Sequence, residues 1–306
     1  MNFDLKTRLS DPDPEIRRVA VLEIMDGDED DPIGLLLGSV ADSDATVRAE
    51  TARALEGQDS AAVVEALVTL LQDTDASVRK AAAESLAEIK DASFGPLLLP
   101  ATQHANAFVR AAAFRALREL RLAQTFDPAL AATADADASV RREAVGALGY
   151  LRKPAALAKL AQLAVGDPAP EVRRAAIGAL GFGAADAVRT PLASALNDVD
   201  WRVREEAAAT IGKLRIATAI SALIALLADE YWQVRAKSAH TLGKLKAVSA
   251  VPALIEALGH EISNLRKEAA LALGEIADPR AAPALTRALT DTDPDVRKLA
   301  QRALGL

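Results

Sequence analysis

The sequence predicts an all-α solenoid of about ten two-helix repeats, and three observations carry that prediction. A short phrase recurs ten times, from Glu15-Ile16-Arg17 to Asp295-Val296-Arg297, each time an arginine preceded by Ile, Val or Leu. The arginines are Arg17, Arg48, Arg79, Arg110, Arg141, Arg173, Arg204, Arg235, Arg266 and Arg297, so eight of the nine intervals are 31 residues and the other is 32. A period of this length marks stacked supersecondary units, each burying the face of the next. Apolar residues make up 51% of the chain but aromatics only 3%; a core of Ala, Leu, Val and Ile suits closely packed helices. Each period also divides into two apolar stretches around an Asp-rich turn, and no linker interrupts the series, so residues 1–306 read as one repeat domain.

The last period shows the order of elements. Pro283–Leu289 reads as a first helix, 290–293 as a turn and Pro294–Leu304 as a second helix, an αα-hairpin. Asp293 stands where an N-cap is needed, and Pro294 where its missing N–H costs nothing. Four residues before each arginine the same cap recurs as Asp13, Asp44, Asp75, Asn106, Asp137, Asp200 and Asp293, with Ala169, Tyr231 and Ile262 as exceptions. Three residues after each arginine comes a small residue, Ala, Ser or Thr, and seven after it a Leu or Ile; both share one helical face and should form the layer between repeats. Gly149, Gly181, Gly212, Gly243, Gly274 and Gly305 are expected to end the second helix of the last six repeats as left-handed C-caps.

Composition bounds the function. The chain has no cysteine, which removes disulfides, thiolate metal sites and cysteine nucleophiles. The first residues lack a signal-peptide stretch and no run approaches the ~18 apolar residues of a membrane span, so a cytoplasmic location without membrane attachment is expected. A formal charge of −7 disfavours a general nucleic-acid binder, which needs a basic footprint.

The repeating unit, Asp-x-Asp-(Pro/Trp)-x-Val-Arg-x-x-Ala-x-x-(Ala/Thr)-Leu-Gly, resembles the HEAT-like repeat named after phycobilisome lyases, and the likeness covers the whole chain. That resemblance implies a right-handed α-solenoid whose second helices line a concave surface. It leaves function open, because such proteins include scaffolds, chaperone-like subunits and a few enzymes. In the deoxyhypusine hydroxylase branch, His-Glu pairs just after the repeat's arginine hold two irons. Here the aligned pairs are Ala49-Glu50, Arg142-Glu143, Glu205-Glu206 and Lys267-Glu268; every histidine is missing, and His260-Glu261 falls in a turn, so no metal or other cofactor is expected. A subunit of a heterodimeric phycobilin lyase is the leading enzymatic alternative, on the pattern Asp200-Trp201-Arg202-Val203-Arg204. A nucleic-acid binder of the HEAT-like glycosylase kind ranks below it, since Arg202, Lys237, Lys267, Lys298 and Arg302 alternate with Glu205, Glu206 and Glu268. With three histidines, no Gly-rich phosphate loop and no nucleophile elbow, no conventional catalytic constellation is present. The acidic run 26–31 lacks the ligand spacing of a calcium loop and reads as a solvated turn.

Features common to the repeats are read as lattice, and binding is sought where repeats differ. The arginine and the Asp six residues before it (Asp11, Asp42, Asp73, Asp135, Asp167, Asp198, Asp229, Asp291) belong to the lattice. Departures cluster in repeat four, with His104, Asn106 and Phe108, and in repeats seven to nine, with Trp201, Tyr231, Trp232, His240, His260 and Ile262. Trp201 and Trp232, 31 residues apart, should lie at equivalent first-turn positions and share one patch, either as interface anchors or as packing on the neighbouring turn. Phe94, Phe108 and Phe114 are expected in the core. The expected function is a non-enzymatic scaffold, adaptor or assembly factor that binds another protein on its concave face. Its candidate contact residues are Trp201, Arg202, Glu206, Tyr231, Trp232, Gln233, Lys237, His240 and Lys267. The partly polar last helix, with Lys298, Gln301 and Arg302, leaves self-association through the solenoid ends as a further expectation.

Overall fold

The computed structural model describes residues 5–27 and 29–306, so Asp28, in the middle of the acidic run, lies outside the described residues. The chain divides into two compact units, Met1–Leu151 and Arg152–Leu306, each built from five helix pairs. In the first unit the pairs are Leu5–Arg8 with Pro14–Glu23, Pro32–Gly38 with Ala45–Ala54, Ala61–Leu71 with Ala76–Ala87, Gly95–Leu98 with Ala107–Leu120, and Phe126–Ala132 with Ala138–Leu151. In the second they are Leu157–Gly166 with Pro170–Leu180, Ala185–Ala195 with Trp201–Leu214, Ile220–Ala225 with Trp232–Lys244, Val251–Ala257 with Ser263–Ile276, and Ala282–Ala288 with Pro294–Leu304. No strand occurs among the described residues. Within each unit the second helix of every repeat packs on the second helix of the next, the nearest-neighbour stacking that defines an α-solenoid.

The second helices start where the sequence places them. Asp13, Asp44, Asp75, Asn106, Asp200 and Asp293 each accept the backbone N–H two residues on, and Asp137 does the same for Ser139. Each interaction satisfies one of the orphan donors of a helix start. The exceptions Ala169, Tyr231 and Ile262 supply no side-chain cap.

The packed layer follows the same register. Every small residue three after the arginine, from Ala20 to Ala300, is fully buried, and so are Ile24 and the leucines and isoleucine from Leu55 to Leu273 seven after it. Small side chains bring neighbouring helices close enough for hydroxyls to bond across the layer. Ser85 Oγ donates to the Ala52 carbonyl at 2.8 Å, and Thr241 Oγ1 to the Ala208 carbonyl at 2.9 Å, each one repeat back.

Two expectations are corrected. Of the six repeat glycines only Gly305 is a left-handed C-cap. Gly149, Gly212, Gly243 and Gly274 lie inside their helices, and Gly181 caps its helix with φ −64°. Arg121, Arg152, Arg215, Lys246 and Ala277 take the left-handed conformation instead. Glycine is needed earlier because the next helix is too close for a side chain: a Cβ on Gly243 would stand 2.7 Å from Ala272 Cα, and one on Gly274 2.9 Å from Ala303 Cβ. The second correction concerns the phenylalanines. Phe114 is fully buried and Phe94 packs on the core, but Phe108 is 42% exposed. It occupies the second helical residue, a position held by Thr46, Ser77 and Ser139 in other repeats, which points to solvent.

Candidate interaction surface

The repeated arginine and aspartate form rungs between consecutive turns. Arg17 meets Asp42, Arg48 Asp73, Arg110 Asp135, Arg173 Asp198, Arg204 Asp229 and Arg266 Asp291, each through parallel Nε and Nη2 bonds of 2.7–2.9 Å. The remaining Nη1 donates to the carbonyl six residues earlier in its own repeat, as Arg204 does to Asp198 at 2.8 Å. The aspartate also orders its own turn, Asp42 Oδ1 accepting the Asp44 N–H at 2.8 Å. One guanidinium therefore ties two turns together through planar, charge-assisted bonds. The arginine donors hold the carboxyls of Asp42, Asp73, Asp135 and Asp291 below the ordinary aspartate value.

Two rungs are altered by histidine, which the sequence signals as gaps in the Asp series at repeats four and nine. His104 Nδ1 accepts the Asn106 N–H at 3.1 Å and His260 Nδ1 the Ile262 N–H at 3.0 Å, taking over the turn-ordering half of the aspartate's work. An imidazole whose Nδ1 is an acceptor has no second acceptor to offer a guanidinium. Arg79 keeps only carbonyl bonds, to Asp73 and Thr74, and Arg235 keeps one to Asp229 while its buried Nε has no partner.

The predicted contact residues fall into two groups. At the turns of repeats seven and eight, Trp201 stacks on Tyr231 with ring centroids 5.4 Å apart and an interplanar angle of 16°. The Arg204 guanidinium lies 5.8 Å from the same tyrosine ring, so the aromatic pair covers the Arg204–Asp229 rung. The partner of Trp201 is thus Tyr231 rather than Trp232: a residue at the cap reaches back to the preceding turn, whereas Trp232, Gln233 and Lys237 lie half-buried further along the next helix. In the same turn as Trp201, Val199 is 90% exposed, and Tyr231 is 38% exposed. Sequence reasoning did not pick out Val199: its position holds Pro12, Ala105, Ala136 and Pro168 as well as Ser43, Thr74, Glu230, Glu261 and Thr292, so only its larger side chain is a departure.

The second group is already engaged. Arg202 binds its own cap Asp200 at 2.7 Å, and Glu206 receives Arg174 at 3.5 Å. His240 Nδ1 lies 3.0 Å from Glu268 Oε2, while Lys267 reaches Asp293 at 3.0 Å and Asp295 at 3.2 Å, contacts that raise the lysine's pKa. Glu206, His240 and Lys267 thus brace adjacent repeats while Arg202 stays within its own helix start, and Lys237 has no ion pair among the described residues. Among the described residues no group of three or more His, Asp or Glu side chains could hold a metal ion, and no helix is long and apolar enough to cross a membrane.

A family model described as HEAT repeats matches residues 33–118, 95–181, 126–212, 158–232 and 220–305. No curated protein matches the chain. Among solved structures, an engineered protein is similar over 98% of this chain and 97% of its own, with 24% identity and a TM-score of 0.54. YibA from E. coli is similar over 96% and 97%, with 19% identity and a TM-score of 0.53. Yeast importin-β, Kap95p, is similar over 98% of this chain at 17% identity and a TM-score of 0.66, and this chain spans 49% of its length. Identities this low establish the fold alone. The matched segments together run from residue 33 to residue 305, and the chain belongs to the HEAT-repeat family.

Proposed function

We propose that this chain is a non-catalytic scaffold, adaptor or assembly factor that binds another protein through the turns of repeats seven and eight and the second helices that follow. The observation that carries the reading is the cluster of Val199, Trp201 and Tyr231. Apolar and aromatic groups stand at the surface there, and the helix start at Tyr231 has given up its cap for the stack on Trp201. Partly exposed Trp and Tyr rings anchored by a neighbouring ring are the usual centres of protein interfaces, because little side-chain entropy remains to be lost on binding. Lys237, further along the helix that follows Tyr231, supplies a charge for orientation. The HEAT-repeat family supports the same reading; a similar structure, at 17% identity, is that of the yeast Kap95:Nup1 complex.

Capture from native lysate tests the proposal, with the wild-type chain and a Trp201→Ala, Tyr231→Ala, Trp232→Ala variant of unchanged circular dichroism as baits. A protein retained by the wild type and lost by the variant is the expected result. Equal retention by both would reject this surface. The repeat pattern shared with phycobilin lyase subunits gives the enzymatic alternative, and a tetrapyrrole absorption band carried by the captured complex would favour it.

A further inference from the structure

The second unit contains a groove of about 510 Å3 between the C-terminal ends of the second helices of repeats seven and eight, lined by Gly212, Lys213, Arg215, Gly243, Lys244, Lys246 and Glu275. Four cations line it, all exposed and without an ion pair among the described residues; the Lys213 Nζ lies over Gly181, on the repeat-six side. They form two equivalent pairs one repeat apart, Lys213 with Arg215 and Lys244 with Lys246. A helix C-terminus attracts positive charge, and one basic residue in each last turn is enough to answer the dipole. Arg215 and Lys246 lie beyond that turn, at φ 54° and 50°. Arg121 and Arg152 hold the same left-handed position in repeats four and five, and what sets repeats seven and eight apart is the second basic residue two before it, Lys213 and Lys244 in place of Glu119 and Tyr150. Gly212 and Gly243 are buried in the wall of the groove against the next helix, so a ligand is met by the cationic side chains at the rim.

We propose that this groove binds an extended acidic peptide segment, with carboxylates in two clusters three residues apart. Packed helices are spaced about 8–10 Å apart, and an extended chain advances about 3.3 Å per residue, so residues three apart meet successive lysine and arginine pairs. Glu275 closes the repeat-nine side, its carboxylate lying over Gly243, and it demands a neutral or basic residue at that end of the peptide. A nucleic-acid strand fits less well, because the groove offers no aromatic stacking platform and Glu275 would face a phosphate. The inference rests on the protein-binding reading and adds the chemistry of what is bound. It uses none of the aromatic contact residues, so the two succeed or fail separately.

Fluorescence anisotropy of a labelled Gly-Asp-Asp-Ala-Asp-Asp-Gly peptide, with blocked ends, tests the groove in the full chain. The expected result is saturable binding that weakens about tenfold in an Arg215→Glu, Lys246→Glu variant, weakens with added salt, and tightens in Glu275→Gln. A Lys213→Glu, Lys244→Glu variant, which leaves the left-handed residues untouched, should weaken binding alike. The Trp201→Ala, Tyr231→Ala, Trp232→Ala variant should bind the peptide as the wild type does. Absence of saturable binding, equal affinity for the charge-reversed chains, or preference for an oligothymidylate strand over the peptide would overturn the proposal.

Discussion

Arg204 grips Asp229 across the boundary of two repeats, Nε to Oδ2 at 2.7 Å and Nη2 to Oδ1 at 2.9 Å, with side chains only 10% and 5% exposed. Removing Asp229 leaves the Arg204 guanidinium largely desolvated, with two carbonyl bonds and the exposed Glu230 carboxylate 3.7 Å away as its remaining partners. Asp229→Ala also strips the Tyr231 N–H of its acceptor. The substitution should cost about 3 kcal/mol, read as a lowered urea midpoint. A loss under about 0.5 kcal/mol would mean that the rungs behave as ordinary surface ion pairs.

The altered rungs give the converse prediction. His260→Asp keeps an acceptor for the Ile262 N–H and gives the buried Arg235 Nε a carboxylate. Stability should rise by about 1–2 kcal/mol, a gain of the size usual for completing a hydrogen bond to a charged group. No gain, or a loss, in thermal unfolding would show that His260 does something for the fold that an aspartate cannot.

Glycines with and without room behave oppositely. A methyl on Gly243 would stand 2.7 Å from the backbone of Ala272, whereas one on Gly38 or Gly166 meets nothing within 4 Å. Gly243→Ala should destabilise by about 1–3 kcal/mol through overpacking. Gly166→Ala should be neutral or stabilise by up to about 1 kcal/mol, because alanine loses less backbone entropy on folding. Equal midpoints for the two variants would contradict close approach as the reason for the repeat glycine.

A missing cap can be supplied. Ala169 holds the cap position in extended backbone with no side-chain acceptor, next to Pro170 at the first helical residue. Ala169→Asp should add about 1 kcal/mol. A stability curve unchanged by the substitution would mean that this helix start is already satisfied by other groups.

Acid should open the ladder. Arginine donors hold the carboxyls of Asp42, Asp73, Asp135 and Asp291 below the ordinary value of 3.8. A group with a lowered folded pKa binds fewer protons folded than unfolded. Its contribution is therefore complete above the ordinary value and lost as pH falls through the folded one. Outside the ladder, the Arg280 side chain and backbone N–H bring Asp278 down to about 2. Stability should be flat from neutral to about pH 4 and fall steeply below it. Circular dichroism against pH reads this, and a transition centred near pH 6 would place the acid-sensitive groups elsewhere.

Much of this was legible because the signals are local and repeated ten times. The caps Asp44 and Asp200, the buried small positions from Ala20 to Ala300, and the recurrent Arg and Asp as lattice all follow from register within one repeat. What a single repeat could not show is where its neighbour stands. Gly243 reads as a C-cap in isolation, but the helix runs on to Lys244 and the glycine answers to Ala272 of the next repeat. The 31-residue spacing points Trp201 toward Trp232, whereas the stacking partner is Tyr231, since a cap residue lies nearer the preceding turn. His104 and His260 stood out as departures, yet their part in the turn appears only when Nδ1 is seen on a backbone N–H. Arg202, Glu206, His240 and Lys267 are legible as candidate contacts, but their bonds to Asp200, Arg174, Glu268 and Asp293 appear only in the folded chain.

The central claim, that a protein partner docks at the turns of repeats seven and eight, is tested most directly by hydrogen–deuterium exchange of the chain with and without its captured partner. The account predicts added protection in peptides spanning 199–206 and 231–240, lost in the Trp201→Ala, Tyr231→Ala, Trp232→Ala variant. Protection confined to other repeats, with these two stretches exchanging as in the free chain, would contradict it.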